Sequence, residues 1–292
     1  MLYDIGLTIA YDYDPPSGAG RHILRLMPAH LPGRQRLIAG RLAVEPAPDE
    51  RHEGRDFWGN ATTELVYRSP QAGERFRLTA RVDCTAAAPG LDLSPPLDRL
   101  GQELAGIRSL GPEAPQHFLG ASLRVAPWAE ATAYARAQAA GGVTVLGLVE
   151  TLGRALHRDL RFDAEATDVD TDPREAFARR HGVCQDFSQI MIACLRGLGV
   201  PAGYVSGFLR TDPPPGQPRL AGADAMHAWV RAWCGLEAGW IDYDPTNALM
   251  VATDHITVGF GRDYEDVAPV RGVLRVAGSQ TSRQEVDVIP LG

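Results

Sequence analysis

Along the opening segment every second residue is large and apolar or aromatic: Tyr3, Ile5, Leu7, Ile9 and Tyr11. A period of two puts these side chains on one face of an extended chain and predicts a half-buried strand. Asp14-Pro15-Pro16-Ser17-Gly18 reads as a turn. His22, Leu24 and Leu26 then alternate with Arg21, Ile23 and Arg25. Phe57-Trp58-Gly59-Asn60 has the composition of a hairpin turn, with Glu64 to Arg68 as its returning strand. Phe76, Leu78, Ala80, Val82 and Cys84 alternate once more. Short strands separated by Gly and Pro turns predict an all-β, sandwich-like domain over residues 1–88. It holds no cluster of charged or nucleophilic residues and reads as a structural or docking module.

Ala86 to Gly90 reads as a linker, and beyond it the period changes. Residues 97–108 and 128–140 are expected to be helical. Val145, Leu148, Val149, Leu152, Ala155 and Leu156 recur at the spacing of one helix face. A short helical turn is expected over Pro173 to Arg180. Phe187, Ile190, Met191, Cys194, Leu195 and Leu198 form a second stripe, stopped at Gly199 and left through Val200-Pro201. Strands follow at about 202–210, 227–234 and 239–244, interrupted by an exposed Pro-rich loop from Asp212 to Pro218. A loop around Asp263 to Pro269 and a closing strand near Gln284 to Ile289 complete an α+β unit over 89–292, with a C-terminal extension and no internal repeat.

Composition narrows the function classes. The 292 residues carry a net charge of -7, and the basic residues are scattered among the acids, so no nucleic-acid footprint is expected. The N-terminus lacks the basic and apolar regions of a signal peptide, and no stretch is long and apolar enough to span a bilayer. A cytoplasmic protein without membrane partners is expected. Cys84, Cys184, Cys194 and Cys234 form no CxxC pair and are expected to be free thiols.

One cysteine stands apart. In His181-Gly182-Val183-Cys184-Gln185-Asp186-Phe187, Gly182 allows a sharp turn and Cys184 falls where that turn becomes a helix. A helix N-terminus offers unpaired N–H groups and a partial positive charge, both of which favour a thiolate. Cys194, by contrast, lies on the apolar stripe as a buried residue would. Downstream, His227 opens a strand on which His227, Trp229, Arg231 and Trp233 share a face. Cys234 to Gly239 closes a hairpin, and Trp240 to Asp244 returns beside it. That pairing brings Asp244 near His227, as an imidazole base and its carboxylate orienter require. Asp242 has the same parity but sits deeper in the hairpin, so Asp244 is preferred.

Three blocks together resemble the signatures of the bacterial transglutaminase-like superfamily: Gly182-Val183-Cys184-Gln185-Asp186, His227-Ala228-Trp229-Val230, and Asp242-Tyr243-Asp244-Pro245-Thr246-Asn247. Leu198-Gly199-Val200-Pro201-Ala202 is similar to the stretch that follows the nucleophile helix. Tyr3 to Pro28, Asp254-His255-Ile256 and Gly261-Arg262-Asp263-Tyr264 resemble one bacterial branch. The resemblance implies a papain-like core, with a Cys-bearing helix packed on an antiparallel sheet. It implies Cys184 as nucleophile, His227 as base and then acid, and Asp244 as orienter. Gln185, Trp229 and Asn247 are the candidates for oxyanion or substrate contacts, with Asn247 more in keeping with a turn. Tyr264, Asp266 and His255 lie in a tail segment that could fold over the cleft, and for His255 a place in a surface loop is the favoured alternative. The acidic sites of calcium-dependent relatives have no match, so neither metal nor cofactor is expected.

The expected chemistry is acyl transfer on amide bonds of a peptide or similar substrate through a thioester. Hydrolysis by a peptidase or amidase is favoured over cross-linking, because no feature of the sequence excludes water. The rivals are a true transamidating acyltransferase and a non-catalytic scaffold that keeps the fold.

Overall fold

The computed structural model describes residues 1–86, 90–211, 224–274 and 278–291. The expected Pro-rich loop at 212–218, and the middle of the linker at 86–90, lie outside them. The first part of the chain forms β1 (Leu2–Ser17), β2 (Gly20–Leu24), β3 (Gln35–Glu45), β4 (Glu50–Arg55), β5 (Ala61–Tyr67) and β6 (Gln71–Cys84). The alternation of β1 is realised in its burial, with Tyr3, Ile5, Leu7 and Ile9 turned inward. Its partners continue the same rows: Leu7 lies opposite Leu78, and Ile9 opposite Phe76. The expected turn at Asp14 to Gly18 is instead a register shift between Asp12 and Ser17, within a strand that runs on to Ser17.

The core follows as α1 (Leu100–Gly106), α2 (Ala129–Gln138), α3 (Val145–Asp159), β7 (Arg161–Phe162), α4 (Pro173–Arg179), β8 (His181–Gly182) and α5 (Cys184–Gly197). Then come β9 (Ala202–Leu209), β10 (Ala225–Trp233), β11 (Trp240–Asp244), β12 (Leu249–Met250), β13 (His255–Gly261) and α6 (Tyr264–Val267). The apolar stripes of α3 and α5 are buried as their spacing predicts, in one cluster with Ala228, Val230 and Ala232 of β10. The central sheet runs β12-β11-β10-β9-β13 and is antiparallel throughout. Among the described residues no helix is long and apolar enough to cross a membrane.

The chain then returns to its beginning. β14 (Val270–Leu274) pairs with β2, and β15 (Ser279–Leu291) pairs with β1. The two N-terminal sheets are therefore β15-β1-β6-β3 and β14-β2-β5-β4. The unit expected over 89–292 thus includes two strands that complete the N-terminal sheets.

Two side-chain amides join the halves. Gln35 donates to the Thr257 carbonyl at 2.8 Å and accepts from the Thr257 N–H at 2.8 Å. Asn60 donates to the Phe260 carbonyl and accepts from the Phe260 N–H, again at 2.8 Å each. β13 is an edge strand, and these amides occupy the backbone groups a neighbouring strand would take. Phe208, Ile256 and Val258 of the central sheet are buried in the same cluster as the sandwich interior.

Candidate active site

Local chemistry fixes the start of α5. Asp186, in the first turn, accepts from the Val183 N–H at 2.8 Å and from the Thr167 hydroxyl at 2.6 Å. A Cβ at Gly182 would stand 2.6 Å from the Asp186 carboxylate, so only glycine fits where the chain enters the helix. Cys184 is therefore the first helical residue, half-buried, with its N–H outside the helical ladder.

The hairpin supplies the rest. Arg231 lies opposite Asp242 in the ladder between β10 and β11, which carries Asp244 toward the open end where His227 stands. His227 Nε2 donates to Asp244 Oδ2 at 2.7 Å, and the Cys184 thiol acts on the same ring from the start of α5. With Nε2 engaged, Nδ1 is the ring nitrogen left to face the sulfur. Asp242 is bound elsewhere, to Arg34 at 2.6 Å.

Asp244 is wholly enclosed and accepts five hydrogen bonds. Oδ2 receives His227, His255 and the Asn247 amide; Oδ1 receives the N–H groups of Thr246 and Asn247. Burial opposes its charge, but the bonds from His227 and His255 hold its carboxyl far below the usual carboxylate range. Burial likewise pulls His227 down, yet the Asp244 bond and the Cys184 thiol outweigh it and raise the ring to about 10. Burial raises Cys194 and Cys234 to about 12 and Cys84 to about 11, so these three remain neutral thiols at pH 7.

The remaining candidates take structural places. Trp229 is fully buried, its ring edge-on to His255 at 5.2 Å. Gln185 donates to the Val169 carbonyl at 3.1 Å, which engages its amide N–H with the loop ahead of α4. Asn247 is occupied with Asp244, as a turn residue. Two further residues belong beside the site, one read differently from sequence and one not singled out there. His255 is buried and donates from Nε2 to Asp244 Oδ2 at 3.1 Å, so it is no surface-loop residue. Tyr204 on β9 is enclosed, and burial, with the charge of Cys184 next, keeps its phenol well above its ordinary value as a neutral O–H.

Donor atoms of His227, Asp244 and His255 lie within 4.8 Å of one another. Both rings aim their bonding nitrogens at one carboxylate oxygen, so imidazole protons fill the space between the donors. A cavity of about 630 Å³ lies behind this cluster, with His255, Asp242, Arg34, Trp240 and Met250 among its walls and Cys184 not among them.

Comparison with known proteins bears on the family and the fold. Residues 132–245 match the transglutaminase-like superfamily, and residues 3–83 match the bacterial transglutaminase-like N-terminal region. The chain belongs to the transglutaminase-like superfamily, with the bacterial N-terminal region preceding the core. An uncharacterised protein of Mycobacterium tuberculosis (strain ATCC 25618 / H37Rv) is 36% identical over 266 residues, 88% of this chain and 83% of the relative. One from Mycobacterium leprae is 28% identical over 283 residues, 93% of this chain and 92% of the relative. The crystal structure of a candidate cysteine protease from Cytophaga hutchinsonii shares the fold, with a TM-score of 0.71 and 19% identity over 100% of this chain and 91% of that one.

Proposed function

We propose that the protein is a cysteine-dependent acyl-transfer enzyme, with Cys184 as nucleophile, His227 as acid and base, and Asp244 as orienter. The observation that supports this reading is the ring of His227, engaged by Asp244 at 2.7 Å and raised in pKa by that bond and by the half-buried Cys184 thiol at a helix N-terminus. The protonated ring stabilises the Cys184 thiolate, which attacks the carbonyl carbon of an amide. The Cys184 N–H is the backbone donor best placed for the resulting oxyanion. As the C–N bond breaks, Nδ1 of His227 gives its proton to the departing amine and leaves a thioester on Cys184. A water then gives a proton back to Nδ1 and attacks the thioester; the C–S bond breaks, restoring the thiolate and releasing a carboxylic acid that loses its proton to solvent. General acid–base help of this kind is worth roughly 10²–10⁴-fold.

Hydrolysis is favoured over transamidation because Cys184 is only half-buried, and water at its bulk concentration wins unless excluded. The first test is iodoacetamide labelling at pH 6. Fast modification confined to Cys184, slowed in His227→Ala, is the expected result; equally slow labelling of all four thiols would favour a non-catalytic scaffold. Ammonia release from glutamine peptides, compared with incorporation of an added amine, separates hydrolase from transferase.

A further inference from the structure

The carboxylate that orients His227 serves a second histidine. His255 Nε2 reaches the same Oδ2 at 3.1 Å, and the two imidazole rings lie 6.0 Å apart, with Trp229 packed against both. The His255 side chain is almost completely enclosed, and its Nδ1 has no partner. Facing a carboxylate oxygen, Nε2 is the donor, and His255 holds Asp244 through it. His255 also forms part of the wall of the 630 Å³ cavity, whereas Asp244 does not. His255 thus stands between a space large enough for water and a carboxylate whose hold on His227 depends on a dry site.

We infer that His255 is a positioning residue of the triad, which pins Asp244 Oδ2 toward His227 and shields that carboxylate from the water of the neighbouring cavity. This deepens the triad reading and rests on it. The groups facing His227 are Cys184 from α5, Asp244 from β11 and His255 from β13. Behind His255 the cavity walls bring Arg34, Asp242 and Glu150. Opening the wall lets water screen Asp244, so the imidazolium of His227 loses part of its stabilisation. The ring then gives up its proton at lower pH.

The test is an NMR titration of the intact protein with isotope-labelled histidines, of which the chain has eight. The His227 signal is assigned by its loss in His227→Asn. In the unsubstituted protein His227 is expected to titrate near pH 10. His255→Ala is expected to lower that midpoint by one pH unit or more, and His255→Ser, which also opens the wall, serves if the alanine variant does not fold. His255→Gln retains an N–H donor and most of the volume, and should stay within half a unit of the unsubstituted protein. A folded Ala or Ser variant whose midpoint moves by less than 0.3 units overturns the inference. So does a Gln variant that falls as far as Ala. Iodoacetamide labelling of Cys184 at pH 6 in the unsubstituted protein reports separately on the triad, so the two ideas fail independently.

Discussion

Gly153 lies flat against the ring of Tyr243: a Cβ there would stand 2.0 Å from Cε1. Through that contact α3 presses directly on the strand that carries Asp242 and Asp244. Alanine in place of glycine inside a helix is worth about 1 kcal/mol in helix preference. The overlap with a buried ring should outweigh it, since overpacking costs about 1–3 kcal/mol. Gly153→Ala is expected to lower the melting temperature by a few degrees and to slow Cys184 labelling, because Tyr243 adjoins Asp244. A raised melting temperature would show that the ring yields freely.

The raised pKa of His227 has a consequence for stability. Its folded value, about 10, lies above the unfolded value near 6.5. The stabilisation it contributes is complete below pH ~6.5 and is lost as pH climbs toward 10. Urea midpoints should therefore fall between pH 7 and 9, and fall less in Asp244→Asn. Above pH 9 the decline should steepen, because Cys84, Cys194 and Cys234 stay protonated in the fold but ionise once unfolded.

Asp244→Asn should damage both fold and chemistry. Asp244 accepts five hydrogen bonds, and an amide would place N–H groups where only donors point. Breaking a buried ion pair of this kind costs about 3–5 kcal/mol. Acyl transfer should slow by roughly 10²–10⁴-fold as the ring loses its orienter. Thermal melting and the thiol alkylation rate check the two effects separately. A variant within tenfold of the unsubstituted labelling rate would remove Asp244 from the proposed triad.

The bond between the halves can be cut one side chain at a time. Asn60→Leu strips partners from the N–H and C=O of Phe260, and each buried orphan costs about 1–3 kcal/mol. The Phe260 amide should lose hydrogen-exchange protection while the amides of α5 keep theirs. Unchanged protection at Phe260 would mean that another group takes over the role of Asn60.

Much of the architecture was legible because it rests on period. β1, β6, α3 and α5 each bury one face, so their spacing announces them. The placing of the candidate residues was legible because a helix start and a short hairpin are local features: Cys184 does open α5, and Asp244 does meet His227. What lacked period was lost. β4 is exposed along its whole length and β13 is buried along its whole length, so neither alternates. His255 was therefore assigned to a surface loop, since nothing in its neighbours tells an enclosed strand end from an exposed one. The returning strands β14 and β15 pair across more than two hundred residues of sequence, beyond the reach of any local pattern.

The burial of three of the four sulfurs also decides how the molecule meets an oxidant. Cys84, Cys194 and Cys234 are enclosed, and Cys184 alone is partly open. Peroxide would therefore convert Cys184 to its sulfenic acid first, the step that access favours. The other thiols, locked in the interior, are poorly placed to trap that acid as a disulfide. Redox stress would register as silencing of one side chain, reversible by a small external thiol, before it registered as damage to the scaffold.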